Sequence, residues 1–296
     1  MIIQQMSGGL GNQMFQYALY LKLKSLGREV KFDDVMTYEL DNARPIQLSV
    51  FGITYPRATA EEIIEMRDSS SALKDKIRRK LKGRNLKQYN EVNYSYDEHV
   101  LEVDDTYLVG LFQTDKYFSD IADEVRRVFT FREDLITDEV RSLEKEILNN
   151  KDSVSIHVRR GDYLNSGILD VFGDLCTDEY YDVAIKHILD KHPESTFYLF
   201  TNDQDWADYF VSQHEAADIR VVRCNTEYTG YLDMYLMTKC RHHIMANSSF
   251  SWWGGYLGSD QSGTTIAPKV WINNEHCQDI HTDKMVLIDN QGKIQG

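Results

Sequence analysis

The chain has 296 residues, room for about two domains. It carries 33 Lys and Arg against 47 Asp and Glu, a formal charge of −14, which argues against a nucleic-acid binder because neutralising a phosphate backbone needs clustered cations. Apolar residues make up 42% and charged residues 27%, with only 17 Gly and 4 Pro, so collagen-like and linker-rich classes are excluded and a protein with real cores is expected.

The amino terminus, MIIQQMSGGLGNQMF, lacks the basic region and long apolar run of a secretory signal. It reads as a strand over 2–6, a helix over 12–26 and a strand over 29–32, with a later strand over 107–112. Between the first strand and helix lies SGGLGNQMFQYA (7–18). It looks like a dinucleotide fingerprint, but Met14 stands where the third glycine belongs and no acid closes a convincing ribose site, with Asp33 and Asp34 as the available substitutes. Gly9 and Gly11 would still let a ligand approach the backbone, with Asn12 and Gln13 as polar contacts at the helix start. The pairs Asp33–Asp34 and Asp104–Asp105 would point apart on a strand, so they read as solvated or capping groups rather than metal ligands. Residues 40–105 resist ordering, apart from KDKIRRKLKGRNLK (74–87), with eight basic residues and one acid. That run reads as an exposed helix face, or as a peripheral contact from Lys74 to Lys87 with a membrane surface or a lipid-linked polyanion. NNKD (149–152) marks the expected boundary, giving domains 1–150 and 151–296.

In the second half, short apolar runs recur at 154–158, 197–200, 220–222, 243–246 and 264–267. Amphipathic helices fall between them, at 178–192 with Thr177 as N-cap and at 229–240. This alternation predicts an α/β fold with a parallel sheet, whose ligands sit at the carboxyl ends of the strands. Three segments put polar groups there. HVRRGDY (157–163) ends a strand with two arginines suited to a diphosphate, unless Arg159 and Arg160 only pair with Asp162 and nearby acids. Thr201, Asn202 and Asp203 follow another strand and are candidate ligands or a helix cap. NSSFSWWGG (247–255) offers hydroxyls and helix-start amides to an anion, with Trp252 and Trp253 as core.

Other chemistries lack their signatures. GxSxG, HExxH and the phosphate-binding GxxxxGK[ST] are absent, and no CxxC pairs the cysteines at 176, 224, 240 and 277, which read as reduced, partly buried thiols. His242 and His243 read as a strand pair facing opposite sides. The least polar stretch, 244–259, carries Asn247, Ser248, Ser249 and Ser251 and falls short of the roughly 18 apolar residues of a span.

Together GGLGNQMFQYA, HVRRGDY, TND and NSSFSWWGGYLG resemble the bacterial alpha-1,2-fucosyltransferases, glycosyltransferase family eleven. The resemblance implies a GT-B-like pair of Rossmann-type domains, with an acceptor-side first domain and a second domain that holds GDP-fucose. It implies inverting transfer of L-fucose from GDP-β-L-fucose to the 2-hydroxyl of a terminal β-galactoside, for a surface glycan or O-antigen. Arg159 would contact the diphosphate, His157 would lie near the guanine, Asn202 or Asp203 would meet guanine or ribose, and Ser248, Ser249 and Phe250 would surround the phosphates, beside Asn247 and Arg160. Asp162 is the nearest carboxylate for a base, or a holder of Arg159. No metal or other cofactor is expected. Mammalian relatives carry a membrane anchor, so this chain is expected to be a bacterial cytosolic enzyme, peripheral to the membrane at most. Two rivals are a non-catalytic nucleotide or glycan binder on the same scaffold and a dehydrogenase.

Overall fold

A computed structural model describes residues 1–35, 45–160, 167–258, 262–275 and 277–295. The chain forms two compact units, Met1–Thr130 and Phe131–Gly296. The division falls some twenty residues before the boundary read at 149–152. The reason is the helix Asp138–Asn149, whose polar face is tied to the second unit. Tyr235 donates to Glu144 at 2.6 Å, Tyr198 donates to Glu146 at 3.2 Å, and Lys239 pairs with Glu144 at 3.1 Å.

The first unit contains β1 (Ile2–Gln5), α1 (Leu10–Ser25), β2 (Val30–Asp33), α2 (Ala60–Met66), α3 (Leu73–Lys82), β3 (Gln88–Asn90), α4 (His99–Glu102), β4 (Thr106–Val109) and α5 (Ala122–Val128). Its described strands form a parallel sheet in the order β2-β1-β4-β3. Helix α1 is apolar on most sides and correspondingly buried, with Met14, Phe15, Ala18, Leu19 and Leu23 closed to solvent. Among its described residues, the stretch that resisted ordering holds only short elements. One of them, α2, is started by a capping box in which Thr59 and Glu62 satisfy each other's backbone N–H groups.

Asp33 and Asp34 are not solvated. Both are buried, Asp33 accepting from Tyr107 at 2.7 Å and Asp34 from Tyr55 at 2.9 Å and Arg57 at 2.6 Å. Burial is tolerated because each carboxylate meets donors brought from distant parts of the unit.

The second unit contains α6 (Asp138–Asn149), β5 (Ser153–Val158), α7 (Leu169–Phe172), α8 (Asp178–Leu189), β6 (Thr196–Thr201), α9 (Gln204–Gln213), β7 (Asp218–Val221), α10 (Tyr231–Met237), β8 (His242–Ile244), α11 (Ser249–Tyr256), β9 (Thr265–Pro268), β10 (Met285–Ile288) and β11 (Ile294–Gln295). The strand order is β11-β10-β9-β8-β5-β6-β7, parallel except for β11. All five expected strands are present, and Thr177 caps α8 by accepting from Tyr180 N–H at 3.3 Å. Alternation along β5 sends Val154, Ile156 and Val158 into the main core, against Tyr180, Ala184 and Ile188 of α8 and Ala207 and Phe210 of α9. The α/β class and the two parallel-stranded units read from the sequence are therefore both present.

Candidate active site

In a doubly wound sheet a crevice opens at the carboxyl ends of two adjacent central strands whose connections diverge. In the second unit those strands are β5 and β8. From β5 the chain winds outward through β6 and β7, then returns to β8 and winds the other way through β9 and β10. The two richest sequence motifs leave these two strands: His157–Arg160 from β5 and Asn247–Ser251 from β8.

His157 is buried at the end of β5, its ring centroid 5.6 Å from that of Phe250 in the first turn of α11. Its backbone carbonyl accepts from Tyr181 at 3.1 Å, while Nδ1 is buried with no partner among the described residues. Burial, and then the charge of Arg159, push its pKa down to about 3, so the ring is neutral and has a nitrogen to offer a ligand. Arg159, partly buried, follows the last residue of β5 and lies near enough for its charge to be felt at His157.

Arg160 is committed elsewhere. Its Nε donates to Asp203 Oδ2 at 3.2 Å and its guanidinium lies 4.8 Å from the Trp206 ring centre. Asn202 clamps the same residue by accepting from its N–H at 3.0 Å and donating to its carbonyl at 3.2 Å. Asp203 also caps α9, accepting from Trp206 N–H at 3.0 Å. The TND turn therefore pins the exit of β5 to that of β6, the capping role weighed from sequence.

After β8, Ser248 is the N-cap residue of α11, and its backbone is extended. Ser249 and Phe250 begin the helix with their N–H groups at its positive end. Ser251 points inward and accepts from Ala246 N–H at 3.1 Å. Asn247 is a strut, its amide donating to the carbonyls of Phe172 at 3.0 Å and Trp271 at 3.2 Å. Trp252 and Trp253 are core, and Trp252 donates to Ile280 at 2.8 Å. Asp162 lies outside the described residues.

The first unit's glycine turn is built as expected, between β1 and the start of α1. The left-handed residue is Gly8, with φ of +75°, and a Cβ there would stand 2.2 Å from Asn12 Nδ2. Gly9 is the N-cap residue and Gly11 is buried in the first turn. Gln13 is fully buried, donating to the carbonyls of Gly8 and Pro45 and accepting from Gln47 N–H at 2.9 Å, and Asn12 accepts from Gln113 at 2.8 Å. These two amides fix the turn and its neighbouring loops.

Sequence reading passed over Asp233, in the first turn of α10. That helix lies on the crossover from β7 back to β8, so its first turn faces the carboxyl edge of the sheet. Asp233 accepts from Asn225 Nδ2 at 2.6 Å, and burial pushes its carboxyl up to about 6. Asn225 Oδ1 is buried with no partner among the described residues. The available signal was a lone carboxylate within the otherwise apolar run YLDMYLM.

A family model described as "Glycosyl transferase family 11" matches residues 2–288. An "Alpha-1,2-colitosyltransferase" of Escherichia coli is 29% identical, over 93% of this chain and 93% of its own. The "O-antigen biosynthesis glycosyltransferase WbnK" of Escherichia coli is 30% identical, over 95% of this chain and 98% of its own. The human "Galactoside alpha-(1,2)-fucosyltransferase 1" is 25% identical, over 85% of this chain and 64% of its own. Among solved structures, NodZ alpha-1,6-fucosyltransferase soaked with GDP-fucose aligns with 86% of this chain and 91% of its own, at 14% identity and a TM-score of 0.44. POFUT1 in complex with GDP aligns with 91% and 98%, at 10% identity and a TM-score of 0.47. Because the family match runs from the first residue of β1 to the last residue of β10, and two bacterial relatives align over nearly their full lengths, the chain belongs to glycosyl transferase family 11.

Proposed function

We propose that the second unit binds GDP-β-L-fucose at the β5–β8 divergence, and that the enzyme transfers fucose with inversion to the 2-hydroxyl of a terminal β-galactoside. The observation that carries this reading is that Arg159 follows β5 and the amino end of α11 follows β8, so that both stand at the carboxyl exits of two adjacent parallel strands. As the sugar–oxygen bond breaks, negative charge grows on the departing diphosphate. A guanidinium and preorganised N–H groups stabilise that charge more than they stabilise the bound donor, which is what accelerates the step. Charge neutralisation by these groups leaves no requirement for a divalent metal. Ser248 and Ser249 add hydroxyls at the helix start. His157, kept neutral, and the Phe250 ring form an apolar wall with one polar nitrogen, suited to a nucleoside. Asp233 and Asn225 present adjacent acceptors, the pattern that pairs with guanine N1–H and its exocyclic amine and rejects adenine.

The first unit, on this reading, takes the acceptor. The deciding experiment incubates purified enzyme with GDP-fucose and a panel of β-galactosides, following GDP release and the anomeric configuration of the product by NMR. Tight GDP-fucose binding without turnover on any galactoside would replace this reading with a non-catalytic binder.

One observation favours a second donor. A relative aligned over 93% of this chain is named a colitosyltransferase, and colitose is fucose without its 3-hydroxyl. Competition between GDP-fucose and GDP-colitose for one acceptor decides between them. A site that hydrogen-bonds the 3-hydroxyl rejects the deoxy sugar strongly, while a site with no group there admits both.

A further inference from the structure

Helix α3 is mounted with its apolar side outward. Leu73, Ile77 and Leu81 recur every fourth residue and are 73%, 52% and 78% exposed, and no residue of the helix is buried. At 3.6 residues per turn they form one stripe about 80° wide. The opposite side is moored by charge: Arg78 and Arg79 both pair with the buried carboxylate of Asp68, which also accepts from Asn85 N–H at 2.9 Å. Ordinary globular helices do the reverse, burying the apolar stripe and exposing the cations. Lys74 and Lys80 flank the stripe about 60° to either side of its centre, with Lys76 somewhat further round. Lys74, Lys76, Lys80 and Lys82 have no ion-pair partner among the described residues, although the chain as a whole is strongly acidic.

We propose that α3 is a membrane-surface helix, seating its Leu73–Ile77–Leu81 stripe among the acyl chains of an anionic bilayer while its lysines meet the lipid phosphates. Cations on both flanks of a narrow apolar stripe match a plane of anionic headgroups, and the aliphatic lysine stems allow the charge to ride at that plane. The Asp68 mooring fixes the angle at which the stripe is presented. The protein then docks reversibly, since no helix among the described residues is long and apolar enough to cross a membrane. This inference does not depend on which sugar is transferred.

The test is co-sedimentation of the full chain with vesicles of phosphatidylethanolamine and phosphatidylglycerol, against vesicles of phosphatidylcholine alone. Wild-type protein is expected to partition into the anionic vesicles, and 0.5 M salt to weaken the binding. The triple change Leu73→Ser, Ile77→Ser, Leu81→Ser and the double change Lys74→Glu, Lys80→Glu should each lower partition at least roughly tenfold. Melting temperature and turnover on a soluble acceptor should stay the same, because these side chains support no core. Equal binding to neutral and anionic vesicles, or full retention of binding by the triple variant, would overturn the proposal. So would failure of wild-type protein to bind vesicles while it captures polyglutamate, the outcome of a helix built for an acidic polypeptide.

Discussion

Replacing Asp233 by Asn separates what this carboxylate costs the fold from what it does for a ligand. Folding holds the group at a pKa of about 6, against an ordinary aspartate value near 3.9. The folded state therefore binds this proton more tightly than the unfolded state does. The associated stability is fully present below about pH 4 and is lost as pH rises through 6. At pH 8 the whole difference, about two pKa units, weighs against folding, a ceiling of about 3 kcal/mol at 1.36 kcal/mol per unit. Asparagine keeps an oxygen for Asn225 Nδ2–H, now 2.6 Å from the carboxylate, and removes the buried charge. Asp233→Asn should thus raise the melting temperature at pH 8 by roughly 4–8 °C, the shift expected of about 2 kcal/mol in a unit of this size, and change it little at pH 4.5. Calorimetry at both pH values reads this directly. The same change should weaken GDP binding at least tenfold by titration calorimetry, since an amide turns a donor toward a base edge that itself donates. An unchanged or lowered melting temperature at pH 8 would refute the desolvated carboxylate. Unchanged GDP affinity in the stabilised variant would refute its part in base recognition.

Arg159→Ala should lower kcat by about 10²–10³ with its fold retained, and Arg159→Lys should restore only part of it; activity within a factor of three of wild type would remove Arg159 from the reaction. Stripping divalent metal with EDTA should leave turnover intact, and a loss restored by magnesium or manganese would put a cation at the diphosphate. Burial takes His157 and His243 down to about 3 and His242 to about 4, so the folded state resists protonating them and their contribution is complete only above pH 6.5. Stability should fall by about 3 kcal/mol between pH 7 and pH 5.5 even after the opposing gain at Asp233, and a flat urea-denaturation profile over that range would contradict it. Asp203→Ala should cost about 1–2 kcal/mol through the lost cap on α9 and should raise KM more than it lowers kcat, because it frees Arg160; the reverse split would give Asp203 a direct role in the chemistry.

The second unit was the more legible half because its central strands are buried on both faces and so appear as unbroken apolar runs bounded by polar turns. β10 escaped notice, and the Gln88–Asn90 strand lacks any such run. The site was legible as residue types at strand exits, but their partners were not. Asn202, Asp203 and Asn247 look alike as candidate ligands in sequence, yet all three are tied to protein groups. Asp33 does accept locally from Val35 N–H at 3.1 Å, as a capping group would, but the burial of Asp33 and Asp34 was hidden because their other donors arrive from Tyr107, Tyr55 and Arg57, too far along the chain for local pattern to show. Asp233 was hidden inside an apolar helix, where only its desolvation marks it.

A cluster of titratable side chains does not make a site. At the amino end of the same sheet Asp152, His192 and His242 bring three ligand atoms within 4.8 Å of one another, a spacing a cation could use. The hydrogen bonds assign the cluster differently. Thr264 N–H donates to His242 Nδ1 at 2.9 Å, so the ring's proton sits on Nε2, the nitrogen that faces Asp152 and that a metal would need bare. Asp152 is already balanced by Arg241 at 3.2 Å and approached by His192 Nδ1 at 3.1 Å. Charge there is settled within the protein, which ties the start of β5 to that of β8. At the carboxyl end of the sheet, His157 Nδ1 and, on the β7 side, Asn225 Oδ1 are desolvated without a protein partner among the described residues, as His242 Nε2 is at the amino end, but no carboxylate among those residues faces His157 Nδ1 as Asp152 faces His242. Leaving buried polar atoms unpaired costs stability, so a fold that tolerates them at the edge where the connections diverge is arranged for a ligand that pairs them.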